Sequence, residues 1–401
     1  MIRKPRILLY SHDTYGLGHL RRTLSIAEQL HRDVPGVHQL VITGSMVAGA
    51  FGLPPRLDLV KLPALSKRSD GQYKARALPL SLRQTLDWRE QMILQAVRTF
   101  EPHVVLVDKV AAGVHGELLP ALRHLKTWSP DTALVLGMRD IEDSPEVTRA
   151  EWRVNDTPYL MDAVYDRILL YGQRDVFDPV TAYGMSPVAA AKLASCGYLR
   201  RGGVRRCPEV VRRELGVDGK PLVVVTVGGG GDGFEIIKAF LDMLAGQRGD
   251  TPYHSLVVTG PLMSDPKRAL LRQAAALPGV TLLEFTPDLI TYLAAADLVV
   301  SMAGYNTVCE LLSLGKRALL IPRVQVRVEQ RLRAEALAAR GLVHLLMPDE
   351  LSPQRLSAAI DAALAAPPPQ VDLPMDGLCR ASQAIQALLG TRHGSRKEIR
   401  S

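Results

Sequence analysis

Aromatic residues are scarce, with Phe, Trp and Tyr making up 5% of 401 residues. A surface for single-stranded nucleic acid needs several exposed rings on which bases stack, so this composition argues against one. Four cysteines stand at 196, 207, 309 and 379, and no two have CxxC or metal-ligand spacing. That argues against a structural zinc or a dithiol centre and suits a reducing cytoplasm. Long apolar runs are absent as well. None approaches the ~20 residues of a membrane helix. In MIRKPRILLYSHD the run Ile7–Tyr10 is too short for a signal-peptide core and fits a first strand. Any membrane contact is expected to be peripheral, at the inner face.

Negative charge is in deficit, since 49 Lys and Arg outweigh 41 Asp and Glu for a net charge of +8. A basic surface favours anionic partners, among them phosphorylated small molecules. The cations are spread along the chain, and no nucleic-acid recognition motif accompanies them, so nucleic acid is not expected as a partner. Hydrophobic residues make up 47% and charged residues 22%, the proportions of an ordinary globular chain. A length of 401 residues suggests two domains.

Both halves repeat a rhythm of short apolar strand, turn and helix. Strands are expected at Arg6–Tyr10, Gln39–Thr43, Val104–Asp108, Ala133–Gly137 and Arg167–Tyr171, the last of the first half. The second half restarts with Pro221–Val227 and continues through Ser255–Thr259, Val280–Phe285, Leu298–Ser301, Ala318–Ile321 and Leu342–Leu346. Near-continuous apolar runs without alternation indicate parallel strands covered on both faces. The Gly- and Arg-rich stretch 195–206 reads as a linker. The expected class is α/β: two Rossmann-like, doubly wound domains, spanning 1–197 and 198–368, whose strand ends face a shared cleft. Residues 369–401 hold a last amphipathic helix, expected to return to the first domain, and a basic tail.

Several groups sit where strands end. Tyr15-Gly16-Leu17-Gly18-His19 joins the first strand to the first helix. Gly16 and Gly18 permit a close backbone approach to a ligand, and His19 lies at a helix start that would help keep its imidazole neutral. Such a ring can take a proton from a hydroxyl, or merely hydrogen-bond the loop. Asp108 ends the strand Val-Val-Leu-Val-Asp and could orient His19, with Lys109 as an alternative partner that would neutralise it. Arg139, after another strand, could touch an acceptor or be solvated. Gly228, Gly229 and Gly230 lack the Lys-Ser/Thr ending of a P-loop and the acid of a dinucleotide fingerprint, yet suit close approach to a diphosphate. The stretch AGYNTVCE, 303–310, combines Gly304, Tyr305 and Asn306 with Thr307-x-x-Glu310, which reads as a capping box. The same helix mouth is a ready anion site, and Glu310 can accept two ribose hydroxyls.

Here the sequence resembles the GT-B glycosyltransferases, most closely family 28, whose members include the N-acetylglucosaminyltransferase of the lipid-linked peptidoglycan precursor. The resemblance is strongest over 280–341, where Pro287-Asp288-Leu289, Asp297–Ser301, Gly304–Glu310, Gly315, Leu320-Ile321-Pro322 and Glu329-Gln330 keep the family's order. It implies that Gly304, Asn306 and Thr307 hold a donor diphosphate, Glu310 the ribose, and Gln330 with Glu329 the sugar. His19 matches an acceptor-side histidine, and the segment Cys196–Arg201 resembles the interdomain motif in which an Arg, here Arg200, can face phosphate. Met302 stands where small-molecule enzymes of this kind carry a phosphate-touching His. The resemblance implies an inverting, metal-independent hexosyltransferase using a UDP-sugar as substrate, without a cofactor, on a glycan, lipid-linked or small-molecule acceptor. Alternatives on the same fold are a nucleotide-sugar epimerase or hydrolase, or a non-catalytic sugar-nucleotide-binding regulator.

Overall fold

The computed structural model describes residues 4–12, 18–46, 48–50, 52–67, 73–200, 203–217, 219–247 and 251–398. The chain divides into two compact units, Met1–Leu199 with Asp376–Ser401, and Arg200–Met375. Both are built on parallel sheets, in agreement with the α/β class expected from the apolar runs.

The first unit contains β1 (Arg6–Ser11), β2 (His38–Thr43), β3 (Leu57–Lys61), the hairpin β4 (Leu65–Lys67) and β5 (Tyr73–Ala75), then β6 (Val104–Asp108), β7 (Ala133–Arg139), β8 (Arg167–Tyr171) and β9 (Leu193–Ser195). Its main sheet runs β3-β2-β1-β6-β7-β8-β9. Ile7, Leu8, Leu9 and Tyr10 are all 0–1% exposed, as both-sided burial of a central parallel strand requires. Strand order reverses between β1 and β6, the switch point where ligands bind in such sheets. Helix α1 (Gly18–Asp33) follows β1 and buries Leu20, Leu24, Ala27 and Leu30. Helix α2 (Leu82–Phe100) starts at a Ser81–Gln84 capping box. Its buried Arg89 donates to both carboxylate oxygens of Glu117 at 2.6 Å, and Tyr10 Oη donates to Glu117 at 2.5 Å. This buried pair ties β1 to the loop beyond β6.

The second unit contains β10 (Leu222–Thr226), β11 (His254–Val258), β12 (Val280–Leu283), β13 (Leu298–Ser301), β14 (Ala318–Leu320) and β15 (His344–Leu345), in the order β12-β11-β10-β13-β14-β15. Its switch point lies between β10 and β13. Val223, Val224 and Val225 are wholly buried at its centre. Helices α3 (Phe234–Ala245), α4 (Tyr305–Leu314) and α5 (Glu329–Ala338) follow β10, β13 and β14 respectively.

The chain re-enters the first unit through α6 (Gly377–Glu398), which packs on α1 and buries Leu378, Ala381 and Ile385. A bridge between Leu199 and Asp376 closes the unit at this point. A Cβ on Gly377 would lie 2.7 Å from the carbonyl oxygens of both Gly197 and Tyr198. Backbone cannot yield as a side chain can, so Gly377→Ala is expected to destabilise the protein by about 1–3 kcal/mol through overpacking. Urea unfolding measures this, and a change within about 0.5 kcal/mol, as for an ordinary surface site, would show that the contact does not constrain the return.

Candidate functional site

In the first unit, the switch point brings His19 and Asp108 together. His19 Nδ1 lies 2.6 Å from Asp108 Oδ2, with the His19 side chain 17% and the Asp108 side chain 6% exposed. The distance fits Nδ1–H donating to the carboxylate, which leaves the Nε2 lone pair as the ring's basic site. Arg22, one turn along α1, grips the same carboxylate with both arms, Nε to Oδ1 at 2.8 Å and Nη2 to Oδ2 at 2.9 Å. Lys109, the alternative partner, lies with its Nζ 3.4 Å from Glu142 Oε2, so Arg22 is the residue that neutralises Asp108.

Burial opposes ionisation of Asp108, but Arg22 and the His19 hydrogen bond together outweigh it and hold the carboxyl below its ordinary range. Burial is also the chief cause that pushes His19 from 6.5 to about 4; Asp108 pulls it back up, and Arg22 and Lys109 press it further down. His12 stacks edge-on against His19 with ring centroids 5.4 Å apart, and burial drives its pKa well down too. The Arg22 guanidinium lies over the Tyr171 ring at 5.9 Å. Gly137 makes room for that ring, since a Cβ there would sit 2.3 Å from Tyr171 Oη. Arg139 turns to Glu142, with Nη2 to Oε2 at 3.0 Å, and is 13% exposed. Glu142 is held at about 2, with burial opposed first by Arg139 and then by Lys109. Gly18 begins α1, and Gly16 lies outside the described residues.

In the second unit, Gly228 and Gly304 stand at the ends of the two strands that flank the switch point, and nothing lies within 4 Å of either missing Cβ. Gly230 differs: its Cβ would fall 2.2 Å from Thr259 O, and one on Gly260 would fall 2.5 Å from Gly228 O. The loops after β10 and β11 thus touch backbone to backbone. Gly229, facing Leu262, accepts a hydrogen bond from its amide at 2.8 Å. So the glycine run divides its work. Gly230 permits packing, while the position of a side chain on Gly228 stands open.

The capping box expected of Thr307 and Glu310 is not formed. Gly304 is the N-cap, with extended φ −65° and ψ 138° and no side-chain cap, so α4 starts two residues earlier than Thr307. Thr307 is then the third helical residue and Glu310 lies a turn deeper, 6% exposed, too far along to return to the cap. The first helical bond is Val308 N–H to Gly304 O at 3.0 Å. The amides of Tyr305, Asn306 and Thr307 therefore precede the helical ladder and face the helix mouth. Tyr305 is 5% exposed and turns its ring inward. Met302 is 8% exposed and belongs to the hydrophobic core.

Beyond β14, Arg323 ties three segments together. Its side chain reaches Asp232 Oδ2 at 3.0 Å and Glu329 Oε1 at 2.8 Å, while its amide donates to Gln330 Oε1 at 3.2 Å. Glu329 Oε2 is buried with no partner among the described residues. Arg200 is exposed at the start of the unit. Sequence reasoning missed Arg22, His12, Arg323 and Arg333. For Arg22 a signal existed, because its i,i+3 spacing places it on the same helix face as His19. Among the described residues, no group of three or more His, Cys, Asp or Glu could hold a metal, and no helix is long and apolar enough to cross a membrane.

These shifts fix a sign for acid stability. Between pH 6.5 and about 4 the unfolded chain protonates His19 while the folded chain does not, so stability falls as pH falls through that window. Glu142 extends the loss from its ordinary 4.5 down to about 2. Denaturant unfolding at a series of pH values should show this decline, with a shallower slope for His19→Gln between pH 6.5 and 4. An unchanged slope would mean that His19 is not the group titrating.

Residues 223–373 match the model of the glycosyltransferase family 28 C-terminal domain. The UDP-N-acetylglucosamine--N-acetylmuramyl-(pentapeptide) pyrophosphoryl-undecaprenol N-acetylglucosamine transferase of Exiguobacterium sp. is 31% identical over 155 residues, covering 38% of this chain and 42% of the relative. Its counterpart in Desulforudis audaxviator is 27% identical over 213 residues, or 52% and 56% of the two chains. The chain thus spans about half the length of the curated relatives it matches. Solved structures align over nearly the whole chain. The calicheamicin glycosyltransferase has a TM-score of 0.62 at 16% identity, covering 97% of this chain and 99% of that one. MurG of Acinetobacter baumannii gives 0.56 at 14%, covering 96% and 99%. The UDP-GlcNAc 2-epimerase of Neisseria meningitidis, bound to UDP-GlcNAc, gives 0.59 at 12%, covering 97% and 100%. The chain therefore has the two-domain GT-B fold of these structures, and residues 223–373 are similar to the C-terminal domain of glycosyltransferase family 28.

Proposed function

We propose that the protein is an inverting glycosyltransferase that moves a hexose-type sugar from a UDP-sugar to an acceptor hydroxyl. The observation that carries this reading is that the segment matching the family 28 domain contains Gly228 and Gly304, both open at the side-chain position, in the turns just beyond the two strands beside the switch point. Backbone amides at 305–307 would receive the diphosphate, Glu310 the ribose, and Glu329 and Gln330 the sugar. The named activity of the curated relatives supports UDP as the carrier. The basic balance of the chain suits an anionic or lipid-linked acceptor.

In the proposed reaction the acceptor O–H passes its proton to His19 Nε2 as its oxygen bonds to the anomeric carbon. The bond from that carbon to the diphosphate oxygen breaks, the electron pair leaves with the diphosphate, and configuration inverts. Asp108 keeps the Nδ1–H tautomer in place. Helix-mouth amides stabilise the leaving charge, and one donor of this kind is worth about 3–4 kcal/mol in the transition state. Tyr305, with its ring turned inward, supports the turn from below.

Titration calorimetry with UDP tests the donor site. Glu310→Ala should weaken binding about tenfold or more, as expected for lost hydrogen bonds to a carboxylate; equal affinity would remove Glu310 from the site. His19→Ala should lower kcat by about 10²–10⁴-fold, the range of general-base catalysis, and a fall of less than tenfold would reject it as the base. Rapid isomerisation or hydrolysis of the sugar nucleotide without an acceptor would instead favour an epimerase or hydrolase.

A further inference from the structure

We propose that Arg333 is a positioning residue for the donor diphosphate, a buried cation that shapes the 303–306 turn and lends its charge to the helix mouth from beneath. Arg333 lies on α5, one turn beyond Gln330, and is 1% exposed. Its Nη1 donates to Ala303 O at 3.0 Å, and its guanidinium carbon lies 5.7 Å from the centroid of the Tyr305 ring. The two contacts fall on either side of Gly304.

Gly304 is where support is needed. It is an N-cap without a side-chain hydrogen bond, and it makes no contact through a Cβ. The usual device that fixes a helix start is therefore absent, and the turn is held from below, by a carbonyl grip on one side and a ring face on the other. A lysine could supply the charge and one hydrogen bond, but not a planar group over Tyr305.

Charge separates this role from simple packing. An arginine keeps its proton even when buried, and a buried charge is little screened by salt or water. Its field adds to that of the helix amides, and both favour an anion in front of the turn. A packing residue would affect every ligand of the unit alike, whereas a cation should favour phosphorylated ligands over neutral ones. The same helix presents Gln330 to the Arg323 amide, so α5 braces the strand-end loops after β13 and β14 together.

The inference rests on the 303–307 turn receiving the diphosphate. The test measures UDP and uridine binding to the full-length wild type, Arg333→Lys and Arg333→Met, with thermal melting to confirm folding. Arg333→Met should weaken UDP about tenfold or more, the scale of a lost charged hydrogen bond, while uridine weakens by less than about twofold. Arg333→Lys should recover part of the UDP preference. If the Met variant does not fold, the Lys variant carries the test, and its ratio of UDP to uridine affinity must fall below that of the wild type. Parallel weakening of both ligands, or unchanged UDP affinity, overturns the role of Arg333. A wild type that binds UDP no more tightly than uridine instead overturns the diphosphate reading of the turn.

Discussion

A carboxylate almost shut off from water must find its cations within the chain, and Asp108 is such a carboxylate. It ends β6 at the reversal of strand order, where the fold requires a residue but solvent barely reaches. Leaving it unpaired would cost several kcal/mol. The chain answers with Arg22, whose planar fork matches both oxygens, and that choice propagates. Arg22 must sit on the first turns of α1, and its guanidinium lies over the Tyr171 ring. Tyr171 in turn needs Gly137 without a side chain. His19 then finds one carboxylate oxygen within reach from the same helix face. Four elements of the first unit are thus fixed by the solvation of one group.

The second unit meets the same geometry with different chemistry. Among the described residues, its switch point holds no carboxylate–histidine pair at the strand ends. Open backbone stands there instead, at Gly228 and Gly304, and cations hold the loops from behind. Arg323 binds the segment after β10 to α5, and Arg333 binds the turn after β13 to the same helix. The charge of Arg323 is answered by Asp232 and Glu329, so its part is to brace the loops, one after β10 and one after β14.

What could be read from the sequence divides along physical lines. Buried parallel strands announce themselves, because both-sided burial demands an unbroken apolar run, and Val104–Asp108, Arg167–Tyr171 and Leu298–Ser301 match in extent. The short strands Leu57–Lys61 and Leu193–Ser195 carry no such run and were not legible, since they lie at the sheet edge and are partly exposed. At Thr307 the local pattern misled. Thr-x-x-Glu satisfies the capping rule, but Gly304, itself an acceptable N-cap residue, takes that place three positions earlier. Arg333 was invisible for another reason, and Arg22 offered only its spacing from His19. A buried arginine looks like any other basic residue until its partners, 86 and 30 positions away, are known.

The Asp108–Arg22 pair also constrains what His19 can do. In a triad the carboxylate stabilises imidazolium with a full negative charge. Here burial, the larger cause, and a guanidinium that already answers that charge hold His19 at about 4, neutral at neutral pH but a weak base. A base whose pKa lies near the working pH would be the more effective catalyst. Further negative charge near His19 would move it toward that condition. An anionic substrate supplies that charge, and a neutral one does not. If His19 takes the acceptor's proton, its basicity is then a property of the loaded protein. The empty site would keep the ring neutral, and binding would raise its proton affinity as the reaction needs it.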